Sequence, residues 1–133
     1  MEVVRRAIEA FNRRDRDAAL KDLAQDFVLD FSRVTGPLQG VFGRDQVPSF
    51  WDEFVEVWES VRIEADEFIQ AREQIVVPVT GYMRGRDEIE VIARRTWVWT
   101  IREGAIVRFC QYQDLQEALA ALGLSEQDAH ADA

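Results

Sequence analysis

Residues 88–124 read EIEVIARRTWVWTIREGAIVRFCQYQDLQEALAALGL. From Glu88 to Thr100, β-branched and aromatic residues dominate, and these favour a pleated surface. The turn Arg102-Glu103-Gly104-Ala105 puts a glycine where left-handed backbone is needed, as in hairpin loops of about three to five residues. Ile106 to Gln113 reads as the partner strand. Asp114 is placed to cap a closing helix that runs to Leu124, with Leu115, Ala118, Leu119 and Leu122 on one stripe. At about 3.3 Å per residue the first strand would reach about 40 Å, roughly twice the usual length. One domain holds such a strand only if the sheet bends. The concave face of a bent sheet, lined with large side chains, is where a ligand pocket forms.

The chain before this stretch supplies the remaining layers. Val4, Ala7, Ile8 and Phe11 recur at helical spacing within 2–12. Arg13-Arg14-Asp15 interrupts that pattern, and Asp15 or Asp17 can cap a second helix to about Ala24, with Leu20 and Leu23 inward. Phe27, Leu29 and Phe31 alternate with Val28, Asp30 and Ser32, which predicts a short strand with one apolar face. Thr35 to Gly43 carries four glycine or proline residues and reads as a loop. Asp45 opens a third helix with Pro48 in its first turn, where proline is tolerated. Val47, Phe50, Trp51, Phe54, Val55 and Trp58 give that helix a broad apolar face. Strands over about 63–71 and 74–84 then precede the long one. Pro78 donates no ladder hydrogen bond, so its strand is expected at an edge or bulged there. Helices first and an antiparallel meander later predict an α+β domain, a curved, cone-shaped, mostly antiparallel sheet with helices on its concave side. That domain is expected over 1–124, with 125–133 as a flexible tail.

Composition excludes several function classes. The chain has 133 residues and 47% hydrophobic content, enough for one domain with a real core. Its formal net charge is −9, which disfavours nucleic acid and anionic membranes because both need a basic footprint. No apolar run approaches the roughly 20 residues that cross a bilayer. No signal peptide is visible, and Cys110 is the one cysteine, so a cytoplasmic location is expected. The one histidine, His130, lies in the tail. A serine or cysteine nucleophile therefore has no imidazole base inside the domain, and a Cys/His zinc site is not available. There is no glycine-rich phosphate loop, and neither a metal nor a cofactor is expected.

Several motifs together carry a family resemblance. They are Asn-Arg-Arg-Asp at 12–15, Gly-Arg-Asp at 43–45, Trp-Thr-Ile-Arg-Glu-Gly at 99–104 and Tyr-Gln-Asp-Leu-Gln-Glu-Ala-Leu at 112–119. With the order of elements, they resemble the SnoaL-like branch of the nuclear transport factor 2-like superfamily over essentially residues 3–124. The superfamily contains ketosteroid isomerases, polyketide cyclases, limonene epoxide hydrolases, dehydratases and binding proteins, so the resemblance implies a fold and leaves the reaction open. The isomerases' aspartate base falls on Phe31, their tyrosine donor on Ala7, and their protonated aspartate near Trp97. The epoxide hydrolases' aspartate–arginine–aspartate set falls on Val79, Gly81 and Gln111. None of these positions carries the group the chemistry requires, and no inner aspartate matches the cyclases' base.

Strand parity puts Ala93, Arg95, Trp97 and Trp99 on one face, and Phe109 and Gln111 share a face of the next strand. The resemblance implies that the faces bearing Trp97 and Gln111 are concave. The expected pocket then takes Leu29 and Phe31 from the first strand and Trp51 and Phe54 from the third helix. Val79, Trp97, Trp99, Phe109 and Gln111 complete it. The tryptophans serve either as core filling or as an apolar wall for a ring-shaped ligand. An inward Arg95 would need a partner, either Glu53, Glu56 or a ligand oxyanion; alternatively a bulge turns it out beside Arg94. Asp30 is the one acid within the first strand, either a base twisted inward or an outer-face carboxylate.

Two functions follow. One is an enzyme doing isomerase-, cyclase- or hydrolase-like acid–base chemistry on a small polyketide- or terpenoid-like compound, with Arg95 stabilising an oxyanion and Asp30 or a helix acid as base. The other is a non-catalytic small-ligand-binding or dimeric interaction domain. The resemblance also implies a homodimer through the outer sheet face, with Val98, Cys110 and Tyr112 contributing.

Overall fold

The computed structural model describes residues 2–34 and 39–124. The expected tail, His130 and residues 35–38 of the expected loop lie outside the described residues. Three helices come first or early: α1 (Glu2–Asn12), α2 (Arg16–Lys21) and α3 (Val47–Val57). The strands are β1 (Leu23–Phe31), β2 (Gly40–Gly43), β3 (Trp58–Ala65), β4 (Ile69–Ala71), β5 (Gln74–Gly85), β6 (Glu90–Arg102) and β7 (Ala105–Tyr112), and α4 (Leu115–Ala121) follows. They form one curved sheet in the order β2-β1-β7-β6-β5-β3, with β4 also on β5. Every pair is antiparallel except β1–β7, which is parallel.

Local chemistry explains the boundaries. Val3, Val4, Ala7, Ile8 and Ala10 form the buried stripe of α1. Asn12 ends that helix and pins it to β3. Its amide donates to the Ile63 carbonyl at 2.9 Å and its oxygen accepts from the Ile63 N–H at 2.8 Å. Asp15 caps α2, accepting from Ala18 N–H at 3.1 Å. This helix stops at Lys21, short of Ala24, because β1 begins at Leu23. The end of the expected 35–43 loop is strand β2, which pairs with β1. A 3-10 turn, Arg44–Gln46, precedes α3. The β6–β7 turn is tighter than expected. Arg102 pairs with Ala105, and Glu103 (φ 53) and Gly104 (φ 79) are both left-handed, the pattern of a two-residue type I′ hairpin.

Pro78 does not mark an edge strand: β5 runs between β6 and the β3/β4 side. Its carbonyl accepts from Asp66 N–H at 2.8 Å. In a strand, N–H and C=O of one residue point the same way, so the missing donor faces the Asp66–Phe68 gap. There β5 changes partner, from β3 at Ala65↔Val79 to β4 at Ile69↔Val76. The proline falls where the ladder is already interrupted.

Two cores lie on opposite faces. The larger joins Val4, Ile8, Phe27, Val77, Trp97 and Ile106 beneath α1–α3. The second puts Ala118 and Leu119 of α4 on Ile69, Val76, Val98, Cys110 and Tyr112. Helices therefore cover both faces: α4 departs from the expected all-concave arrangement because its leucine stripe needs an apolar surface and the outer face of β5–β7 supplies one. Asp114 caps it, accepting from Glu117 N–H at 2.8 Å.

Candidate functional site

A cavity of about 280 Å³ opens between the concave face and α1–α3. The sheet gives its floor. Val79 and Arg95 are paired across β5–β6, Trp97 and Gln111 across β6–β7, and Leu29 and Phe109 across β1–β7. Phe31 and Trp99 extend the same face, and Trp51 and Phe54 of α3 form part of the roof. The structure thus brings Arg95 and every expected pocket residue to one cavity. It also adds side chains that sequence reasoning did not name for the pocket: Phe11 from α1, Leu20 from α2, Phe27 from β1, and Val47 and Phe50 from α3. Their apolar periodicity was legible, but apolar periodicity does not distinguish a wall from solid core.

The walls are held by edge-to-face aromatic contacts. Trp97 sits 5.2 Å from Phe109, Trp99 sits 4.7 Å from Phe109, and Phe31 sits 4.9 Å from Phe50, all steeply inclined. Phe11 meets Trp51 at 5.5 Å and 82°, tying α1 to α3 above the cavity. Such pairs are favourable beyond the area they bury and fix the shape of the cavity.

Polar groups are few. Among the described lining residues only Arg95 is charged, and Gln111 is the one side-chain amide. The Trp97 indole N–H donates to Gln111 Oε1 at 2.8 Å. Among the described lining residues Arg95 is the one that is solvent-exposed, and it marks the rim. Its guanidinium donates to the Arg94 carbonyl at 2.7 Å. Arg95 lines the cavity with neither the bulge nor the internal acid among its expected alternatives. The β5–β6 register runs through it without a bulge, and Glu53 and Glu56 are exposed and form no ion pair with it. An exposed guanidinium is hydrated and needs no internal acid. The Trp99 indole nitrogen is buried without a hydrogen-bond partner among the described residues.

Asp30 does not line the cavity. It faces the other side of β1, where its carboxylate accepts from the Ser32 N–H at 2.9 Å and hydroxyl at 2.6 Å and pairs with Arg108. Burial alone would raise its pKa. The two Ser32 bonds, the Arg108 charge and the Cys110 thiol outweigh burial and hold the carboxyl below its ordinary value. It is an ionised, satisfied structural group, not a base for the cavity. Beside it, burial pushes the Cys110 thiol up, with the Asp30 charge adding to the effect. Tyr112 is pushed up to about 12 by burial and its hydrogen bond with Cys110. Val98, Cys110 and Tyr112, expected at a dimer face, are buried beneath α4. Among the described residues no group of three or more His, Cys, Asp or Glu could hold a metal ion, and no helix is long and apolar enough to cross a membrane.

The SnoaL-like domain model matches residues 4–109, most of the chain. The protein belongs to the SnoaL-like domain family. No curated protein matches it. An NTF2-like protein of unknown function from Burkholderia pseudomallei is 30% identical, with 90% of this chain and 94% of that chain covered at a TM-score of 0.76. TerC, crystallised with polyporic acid, shares the fold at 21% identity, 91% and 95% coverage and a TM-score of 0.76. So does RV0760c of Mycobacterium tuberculosis, in complex with estradiol-17beta-hemisuccinate, at 16% identity, 86% and 92% coverage and a TM-score of 0.73. Phe31 and Ala7, where the resemblance to ketosteroid isomerases would place a base and a tyrosine donor, both border the cavity.

Proposed function

We propose that this SnoaL-like domain binds a small, largely apolar, polyketide- or terpenoid-like molecule in the cavity, with an acidic oxygen of the ligand at Arg95. The observation that carries this reading is the lining itself. Among the described residues it is aromatic and aliphatic apart from Gln111 and a single cation at its rim, with no carboxylate. Apolar walls supply affinity and the few polar groups set orientation. The volume suits a two- to three-ring ligand. The ring-bearing acids bound by TerC and RV0760c, distant in sequence, are compatible with such a pocket. Binding is favoured over acid–base turnover because the described lining offers donors and no base. A catalytic role would use Arg95 and Gln111 to stabilise an enolate and would take its base from solvent or from the ligand.

The test uses quenching of tryptophan fluorescence and the melting temperature, with naphthoate and its neutral amide. Naphthoate should bind more tightly. The advantage should be only about two- to fivefold, because Arg95 is exposed and screened. Arg95→Ala should abolish the difference and leave amide binding unchanged. No quenching and no stabilisation by either compound would defeat the pocket reading. A homodimer and a cytoplasmic location remain parts of the proposal. Any dimer would have to use sheet surface outside the footprint of α4, and sedimentation showing monomer at micromolar concentration would count against it.

A further inference from the structure

The polar groups of the cavity are not a mixed set. The Trp97 indole nitrogen carries a hydrogen and can only donate, so the group facing it must be the carboxamide oxygen of Gln111. That settles which way the amide lies. The Gln111 oxygen is spent on Trp97, and its nitrogen, with two hydrogens, makes no hydrogen bond among the described residues. Arg95 has no acceptor atom in its side chain. Among the described lining side chains the only other heteroatoms are the indole nitrogens of Trp51 and Trp99, both donors, and the weakly accepting thioether of Met83. The described lining therefore offers donors and essentially no free side-chain acceptor.

Two of these donors, on Gln111 and Arg95, are close. Gln111 is the direct cross-strand partner of Trp97, and Arg95 lies two residues from Trp97 on the same face of β6. Such diagonal neighbours stand about 7–8 Å apart. A ligand satisfying both would carry two acceptor oxygens on one edge of its ring body. One would be acidic, and the other would be a carbonyl or enolate oxygen without a hydrogen of its own.

Resting on the pocket reading above, we infer that Gln111, oriented by Trp97, is a specificity-determining donor that selects keto acids and acidic enols over the corresponding alcohols. A carbonyl oxygen accepts from the Gln111 amide and leaves nothing unpaired. A hydroxyl at the same point accepts too, but its own hydrogen then has no acceptor in an apolar site. Leaving a buried donor unpaired typically costs enough to weaken binding about five- to tenfold or more. Trp97 is a positioning residue. Without its N–H, the amide is free to turn and present its oxygen.

The test compares fluorenone, fluorenol and fluorene bearing the same carboxylate on the edge shared with the ring oxygen. The native protein should bind the ketone about five- to tenfold more tightly than the alcohol, with the fluorene weaker than the ketone. Gln111→Glu keeps an oxygen for Trp97 and turns an acceptor towards the ligand, so the ketone-to-alcohol ratio should invert. Trp97→Phe should bring the ratio towards one, a change that general loosening of the pocket would not produce. Arg95→Ala should weaken all three acids alike and leave the ratio intact. Equal binding of ketone and alcohol by the native protein, or a ratio untouched in both the Gln111 and the Trp97 variants, overturns the inference while an Arg95-dependent pocket survives. Failure of all three acids to bind overturns the pocket reading as well.

Discussion

The indole N–H of Trp97 reaches the carboxamide oxygen of Gln111 at 2.8 Å, and the two residues are direct partners across β6 and β7. The bond is part of the sheet as well as of the cavity wall, because Trp97 is nearly fully buried. Gln111→Leu preserves approximate size but strands the indole donor. The expected cost is about 1–3 kcal/mol in urea unfolding. A variant as stable as the native chain would mean that the indole finds another acceptor.

Ala93 faces Gly81 across β5–β6, and both border the cavity beside Arg95. Ala93→Leu adds three carbons to empty space near the rim. Ligand binding should fall at least tenfold while the melting temperature holds or rises, since filling a void restores contacts. A variant that binds normally would place the ligand deeper than Arg95.

Asp30 and Arg108 anchor the parallel β1–β7 seam on the outer face. The folded-state pKa of Asp30 lies below its unfolded value, so the unfolded chain takes up its proton first as pH falls. The stability Asp30 contributes is complete above the ordinary carboxylate pKa and is lost as pH drops through the folded value. Asp30→Asn should cost about 1–2 kcal/mol at neutral pH and less in acid. Ligand affinity should not change. A change in affinity with unchanged stability would return Asp30 to the functional site.

Leu119 is buried against the outer face, over the region of Cys110. Leu119→Ala should cost about 2–4 kcal/mol. The Cys110 thiol is buried and its pKa raised, so it should resist thiol reagents in the native protein and become reactive in the variant. Rapid labelling of the native protein would show that α4 undocks readily.

Much of this was readable in the residues because the side-chain period of a strand is two. Parity alone separates Arg95, Trp97 and Trp99 from Arg94, Thr96 and Val98, and the folded sheet keeps those sets on opposite faces. Parity also set Asp30 apart from Phe31. It could not pair Asp30 with Arg108, because that contact depends on a parallel register between strands 78 residues apart. The stripe of α4 was equally plain, but an amphipathic helix does not encode which face of a distant sheet it will cover. Arg95 was ambiguous for a different reason: its exposure is set by where the cavity ends, which no local pattern records.

That long-range seam has a kinetic meaning. β5, β6 and β7 join through hairpins between neighbours in the chain, whereas β1 meets β7 only after a loop of most of the sequence has closed. Closing such a loop costs entropy before any contact repays it, and high contact order slows folding. The meander is expected to form first, with β1 docking late. The cavity floor is shared between early and late strands, so the pocket would exist only once the slowest step is complete. A ligand touching both Leu29 and Trp97 would then leave the folding rate nearly unchanged and act chiefly by slowing unfolding.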